Sequence, residues 1–211
     1  MRRRQHIWLP LSKHLGGLLL AVLLVGGGTV AADDGPQAVI EQLNAALLDT
    51  MRGAEELGYA GRYEALEPVL RQTFDFPLMT RLSVGRAWSE LGPAERERLV
   101  DLFAQMSTAN FAARFDGFSG ERFEMRGQRA GPRDAVVVES AIVRPDDDPI
   151  ELDYVLREGE AGWRIIDVLL DGKYSELAKQ RSEFAALLAS GGLPELVASL
   201  ERKIRQLAES S

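Results

Sequence analysis

Asp167 stands in the apolar run Ile165-Ile166-Asp167-Val168-Leu169-Leu170, and Asp153 and Tyr154 stand side by side in the segment before it. A carboxyl taken out of water has its ionised form disfavoured. A desolvated aspartate beside a phenol would therefore supply a base and an oxyanion donor for proton abstraction from an apolar substrate. The same residues have a plainer use, in which Asp167 accepts hydrogen bonds from a buried arginine or from backbone groups. Whether Asp153 or Tyr154 shares its face turns on a one-residue register, because side chains alternate along a strand. Other reactive groups are few. The only histidines are His6 and His14 and there is no cysteine, so residues 33–211 hold neither imidazole nor thiol. This excludes His-assisted nucleophiles, Cys thiolates and His/Cys zinc sites from that segment. Asp146-Asp147-Asp148 gathers acids but lacks the spaced loop and terminal Glu of a calcium site, and with Pro149 it reads as a solvated hairpin turn.

Ahead of these residues lies a leader. Arg2, Arg3, Arg4 and Lys13 precede the apolar run Leu15 to Val25, and small residues end in Val30-Ala31-Ala32 before Asp33. This reads as an export signal over residues 1–32, cleaved after Ala32, with an uncleaved anchor as the alternative. The run falls short of the roughly 20 apolar residues that span a bilayer. No second stretch is expected to be long enough to span, and with no cysteine at the junction a lipoprotein anchor is excluded. Losing the leader's four basic residues takes the formal charge from −7 to −11. Such a surface repels nucleic acid and anionic headgroups at long range, and suits a basic protein partner better.

Residues 33–211 form one expected domain. Helical spacing runs from Pro36 to about Phe115. Val39, Ile40, Leu43, Ala46, Leu47, Met51, Ala54 and Leu57 share one face of a first helix closed by Gly58. A second helix covers about Arg62 to Thr73. Asp75 would cap a short one starting near Pro77, and a long helix starts at Pro93-Ala94-Glu95. The period then drops to two. Glu121–Arg129, Asp134–Arg144, Ile150–Arg157 and Gly162–Leu170 read as four strands with short connections, hence an antiparallel meander. Two C-terminal helices follow, Tyr174 to about Ser190 and Pro194 to about Glu209, separated by Gly191-Gly192. The fold class is α+β.

The consecutive Val136-Val137-Val138 and Ile165-Ile166 ask for burial on both faces of the sheet. One face can pack on helices. The other is either ordinary core or the wall of a cavity, and the surplus of large side chains (Phe74, Phe76, Trp88, Phe103, Phe111, Phe115, Phe118, Phe123, Tyr154, Trp163) leans toward a cavity.

Gly162-Trp163-Arg164-Ile165-Ile166-Asp167-Val168-Leu169-Leu170-Asp171-Gly172, Arg181-Ser182-Glu183-Phe184, Gly191-Gly192 and Leu200-Glu201-Arg202-Lys203 follow one another in the C-terminal half. Upstream stand Phe76-Pro77-Leu78-Met79-Thr80-Arg81-Leu82-Ser83-Val84-Gly85-Arg86-Ala87-Trp88 and Pro93-Ala94-Glu95-Arg96. In this order they resemble the MlaC family of periplasmic lipid-binding proteins, also called toluene-tolerance or ABC-transporter auxiliary proteins. Phe115-Asp116-Gly117-Phe118-Ser119-Gly120-Glu121-Arg122-Phe123 and Leu177-Ala178-Lys179-Gln180-Arg181-Ser182-Glu183-Phe184 resemble its hopanoid-associated branch, HpnM, more than its phospholipid shuttles. Lys179-Gln180 stands where those shuttles usually carry an Asn-Tyr type pair.

The resemblance implies a twisted antiparallel sheet wrapped by helices, related to NTF2-like domains, with a deep apolar pocket between them. It implies a non-enzymatic periplasmic carrier, whose cargo is a hopanoid or a phospholipid. The partners would be an inner-membrane lipid transporter and an outer-membrane complex. It calls for no cofactor besides that cargo and no metal, and the chain is expected to act as a monomer. Candidates to line the pocket are Phe74, Leu78, Leu82, Trp88, Phe103, Met106, Val138, Tyr154, Leu156, Ile165, Leu169 and Phe184. Gly58, Gly61, Gly191 and Gly192 are candidate hinges. Arg81 and Arg181 are candidates for an internal ion pair or a headgroup contact. The alternatives are an adaptor that docks through the last helix and holds no small ligand, and an NTF2-like enzyme using Asp167 as base.

Overall fold

The computed structural model describes residues 35–211, so the export-signal reading of residues 1–32, His6 and His14 included, falls outside the described residues. Four helices come first. They are α1 (Pro36–Arg52), α2 (Ala54–Thr73), α3 (Phe76–Val84) and, after a 3-10 turn at Gly85–Glu90, α4 (Pro93–Arg114). Strands β1 (Arg122–Ala130), β2 (Val136–Arg144), β3 (Asp147–Gly159), β4 (Gly162–Leu170) and β5 (Tyr174–Ser175) form one antiparallel sheet in chain order. Helix α5 (Glu176–Glu209) closes the domain.

Local chemistry explains most boundaries. Pro36, Pro77 and Pro93 occupy the first turns of α1, α3 and α4 respectively, where a missing N–H costs nothing. Asp75 caps α3 as expected, its carboxylate accepting from the Leu78 amide at 2.9 Å. The Gly92 amide donates to Glu95 at 2.7 Å at the start of α4.

Three expectations need correction. Gly58 does not close the first helix. That helix stops at Gly53, and Gly58 kinks α2 with φ 57° and ψ −175°, a region open almost only to glycine. The acidic run sits at an exposed hairpin turn, but the turn is shorter than expected: Pro145-Asp146 alone make it, Asp147 and Asp148 belong to β3, and Arg144 pairs with Asp147 at 2.8 Å. The sheet also has a fifth strand, two residues long, which the short spacing after Asp171-Gly172 concealed.

The C-terminal pair of helices is one hydrogen-bonded run broken at Gly192 (φ 65°, ψ −159°), just before Pro194. By length and composition α5 is apolar enough to cross a membrane, contrary to the expectation that no such stretch exists beyond the leader. It packs instead on α3, α4 and β4 of its own domain, burying Phe184, Leu196 and Leu200.

The helices and the sheet enclose the main core, which includes Ile40, Leu43, Leu66, Leu70, Leu99, Val138, Leu156 and Ile165. Buried Arg62 ties α2 to α4 by donating to the Ala112 carbonyl at 2.9 Å. The other face of the sheet carries a small second cluster of Ala135, Val137 and Val155, flanked by Ile166 and Leu169. Both faces of the central strands are therefore buried, as the runs of valine and isoleucine require.

Candidate functional site

A cavity of about 520 Å³ lies between the sheet and helices α3, α4 and α5. Its apolar wall comes from α3 (Met79), α4 (Phe103, Met106, Phe111), β2 (Ile142), β3 (Ile150, Leu152, Tyr154), β4 (Val168, Leu170) and α5 (Leu177, Phe184, Leu187, Leu200), with Phe74 and Phe115 from the flanking loops. Ring contacts run along this wall. Phe184 meets Phe103 edge-on with centroids 6.0 Å apart, Phe103 lies 6.1 Å from Phe76, and Phe76 stacks on Phe74 at 5.6 Å. From Phe74 the line continues edge-on to Phe111 at 5.8 Å, and Phe111 stacks on Phe115 at 5.7 Å. Such contacts add modestly to area burial and fix ring positions, which makes the wall stiff.

Polar side chains also line the cavity: Ser107, Asn110 and Arg114 from α4, and Glu176, Lys179, Gln180, Glu183, Ser199 and Lys203 from α5. Arg114, Lys179, Glu183 and Lys203 are exposed, so these charges lie toward solvent, while Phe74, Phe103, Tyr154 and Phe184 of the aromatic wall are buried and Phe111 and Phe115 are half-buried. Both halves of α5 contribute, which places the Gly192 kink between two stretches of cavity lining.

Of the residues expected at the pocket, Phe74, Phe103, Met106, Tyr154 and Phe184 line it. Val138, Leu156 and Ile165 are completely buried in the main core, and Leu78 is buried outside the cavity lining. Leu82, on α3, is partly buried and does not line the cavity. Trp88 packs on the core from the 3-10 turn, under the guanidinium of Arg96 at 5.6 Å. Leu169 belongs to the opposite face of the sheet, where it packs on the second cluster. The residues missed on β3 and β4 follow from the pleat. Tyr154 pairs with Val168 and Leu152 with Leu170, so stepping by two from Tyr154 finds Leu152 and Ile150. Phe111, and Phe115 just past the end of α4, also line the cavity; the sequence shows them only as two of the surplus large side chains.

Asp167 has a structural set of partners. Its carboxylate accepts from the Ser175 hydroxyl at 2.5 Å, the Val168 amide at 2.8 Å and the Leu177 amide at 3.0 Å. Ser175 in turn caps α5 by accepting from the Ala178 amide at 2.9 Å. Burial raises the Asp167 carboxyl above the ordinary range, and the bonds from Ser175 and the two amides hold part of that rise back. The acceptor role is filled by a hydroxyl and backbone amides, not by an arginine, and Tyr154 is not among the partners. Asp153, next to Tyr154, bonds Arg129 at 3.4 Å, and Arg129 also bonds Glu139 at 2.9 Å. Burial, with Glu139 adding to it, raises the Asp153 carboxyl. Arg81 and Arg181 are exposed, outside the cavity lining, and form no ion pair among the described residues, so the internal pairing expected for them is not found. No group of three or more metal-ligating side chains occurs among the described residues.

The fold is similar to that of a phospholipid-binding protein from Ralstonia solanacearum, solved in complex with a phospholipid. That match has a TM-score of 0.72 at 23% identity and covers 82% of this chain and 98% of the other. No curated protein matches the chain. The model of the family described as MlaC protein matches residues 41–202, which is well over half of the sequence. The chain belongs to the MlaC family.

Proposed function

We propose that this protein is a non-enzymatic lipid carrier that takes a lipid from one membrane-bound complex and delivers it to another across the periplasm. The observation that carries this reading is the cavity itself: an aromatic and aliphatic wall, buried in its larger part, with a charged rim, matching the two ends of a lipid. Family membership supports it, as does the phospholipid held by the structurally similar Ralstonia protein. The physical need is large. Exposing apolar chains to water costs about 0.8 kcal/mol per methylene, so two long chains of about 30 methylenes cost on the order of 24 kcal/mol. A carrier removes that barrier by replacing water with side chains.

Export by the leader of residues 1–32 would deliver the protein to that compartment, where an inner-membrane transporter and an outer-membrane complex would be its partners. Hopanoid cargo is a second reading, favoured by one observation. Lys179 and Gln180, the pair that departs from the usual pattern of the phospholipid shuttles, both line the cavity. A transfer assay tests the carrier. Donor vesicles holding a fluorescent phospholipid or a hopanoid, mixed with unlabelled acceptors, should exchange faster in proportion to protein added. Exchange at the protein-free rate for both lipids would refute the reading.

A further inference from the structure

Tyr154 is 1% exposed and lines the cavity, yet its hydroxyl makes no hydrogen bond among the described residues. Its cross-strand neighbours are Val138 and Val168, whose side chains offer no polar partner. Among the described residues, the buried side-chain atoms that are fully enclosed without a partner are Asn44 Oδ1 and Ser83 Oγ. The Tyr154 hydroxyl is not one of them, so it is not fully enclosed by protein, and the space its residue borders is the cavity. Buried phenols ordinarily find a partner, because a buried donor left unmatched is costly. Two other buried or half-buried polar groups at the cavity are already used: Asn110 donates to the Met106 carbonyl at 2.9 Å, and Asp167 accepts from Ser175 and two amides.

We propose that Tyr154 is a specificity-determining residue, donating a hydrogen bond from its hydroxyl to an acyl ester carbonyl of the bound lipid. This rests on the lipid-carrier reading and adds the chemical class of cargo, a lipid whose chains are joined through esters. A site built to satisfy one polar group discriminates well against analogues that lack it. Ether oxygens accept more weakly than carbonyls, and an unfunctionalised hydrocarbon accepts nothing. Burial also raises the phenol's pKa, so the group stays a donor at any pH the protein meets.

The test compares diacyl and dialkyl phosphatidylethanolamine of equal chain length and headgroup, binding to the full-length mature protein and to Tyr154→Phe. One hydrogen bond predicts about a threefold to tenfold weaker binding of the diacyl lipid by the variant, with dialkyl binding unchanged. The melting temperature should hold or rise, since the hydroxyl removed has no partner in the protein. Equal losses for both lipids, or none for either, would overturn the proposal while leaving the carrier reading intact. A drop in melting temperature with unchanged selectivity would mark the hydroxyl as structural and overturn it too. Wild-type protein that binds neither lipid would sink the carrier reading itself, and this proposal with it.

Discussion

At the scale of single residues, Asp167 shows how a polar group in an apolar strand can serve architecture. Its carboxylate ties β4 to the first turn of α5 through Leu177 and Ser175. Replacing it with alanine strands the two amides and should cost about 1–3 kcal/mol in unfolding free energy. Asparagine keeps one acceptor oxygen and should cost less. The pH dependence has a definite sign. The folded carboxyl lies above its unfolded value of about 3.9. As pH rises through that value the unfolded chain ionises first, so this group's contribution to stability falls until the folded carboxyl has ionised too, and is level above. Chemical denaturation of wild type and Asp167→Asn between pH 3 and 7 should show the variant gaining relative to wild type as pH rises. A difference that is flat with pH would contradict the assignment. Asp167 in its apolar run was plain in the sequence. Its partners were not, because the bulge at Ile166 and the return of the chain through β5 decide which groups reach it.

At the scale of elements, two helices are kinked by glycine in nearly the same backbone conformation, with opposite consequences for the site. An alanine Cβ at Gly58 would meet nothing within 4 Å, and at Gly192 only the Pro194 ring at 3.7 Å. Neither substitution is blocked by packing, so each should act through backbone strain, on the order of 1–3 kcal/mol. Only α5 lines the cavity on both sides of its kink. Gly192→Ala should therefore lower both melting temperature and lipid retention, whereas Gly58→Ala should lower melting temperature alone. Equal lipid loss in both variants would remove the special role given to α5. The Gly191-Gly192 break was legible because two glycines before a proline interrupt any helix. Gly58 was legible as a break but not as a kink, since the amphipathic face of α1 already ends at Gly53 and a glycine's φ is not written in its neighbours.

For the whole molecule, the separation of cavity from core decides which substitutions empty the carrier and which unfold it. Val138 is completely buried away from the cavity lining, so Val138→Trp should overpack the core and cost about 1–3 kcal/mol or more. Leu187 is partly buried and faces the cavity, so Leu187→Trp should fill space meant for cargo at small cost to folding. The α+β class and the meander could be read from period and turn chemistry, whereas the apolar site between sheet and helices came from the family resemblance, since the valine and isoleucine runs fit a plain core equally well. The division of labour among apolar residues could not. Phe103 and Leu156 look alike in a sequence, and only the docking of α4 and α5 leaves one beside open space and the other sealed. Leu169 and Leu170 differ by a single step of the pleat, which sends one to each face.

The most direct measurement is native mass spectrometry with organic extraction, applied to wild type and Leu187→Trp purified from a periplasm containing phospholipids and hopanoids. Wild type should carry one lipid at a defined mass, with occupancy sharply reduced in the variant while its melting temperature stays close to wild type. Wild-type protein that is reproducibly empty, under conditions in which a known lipid carrier stays loaded, would contradict the carrier function.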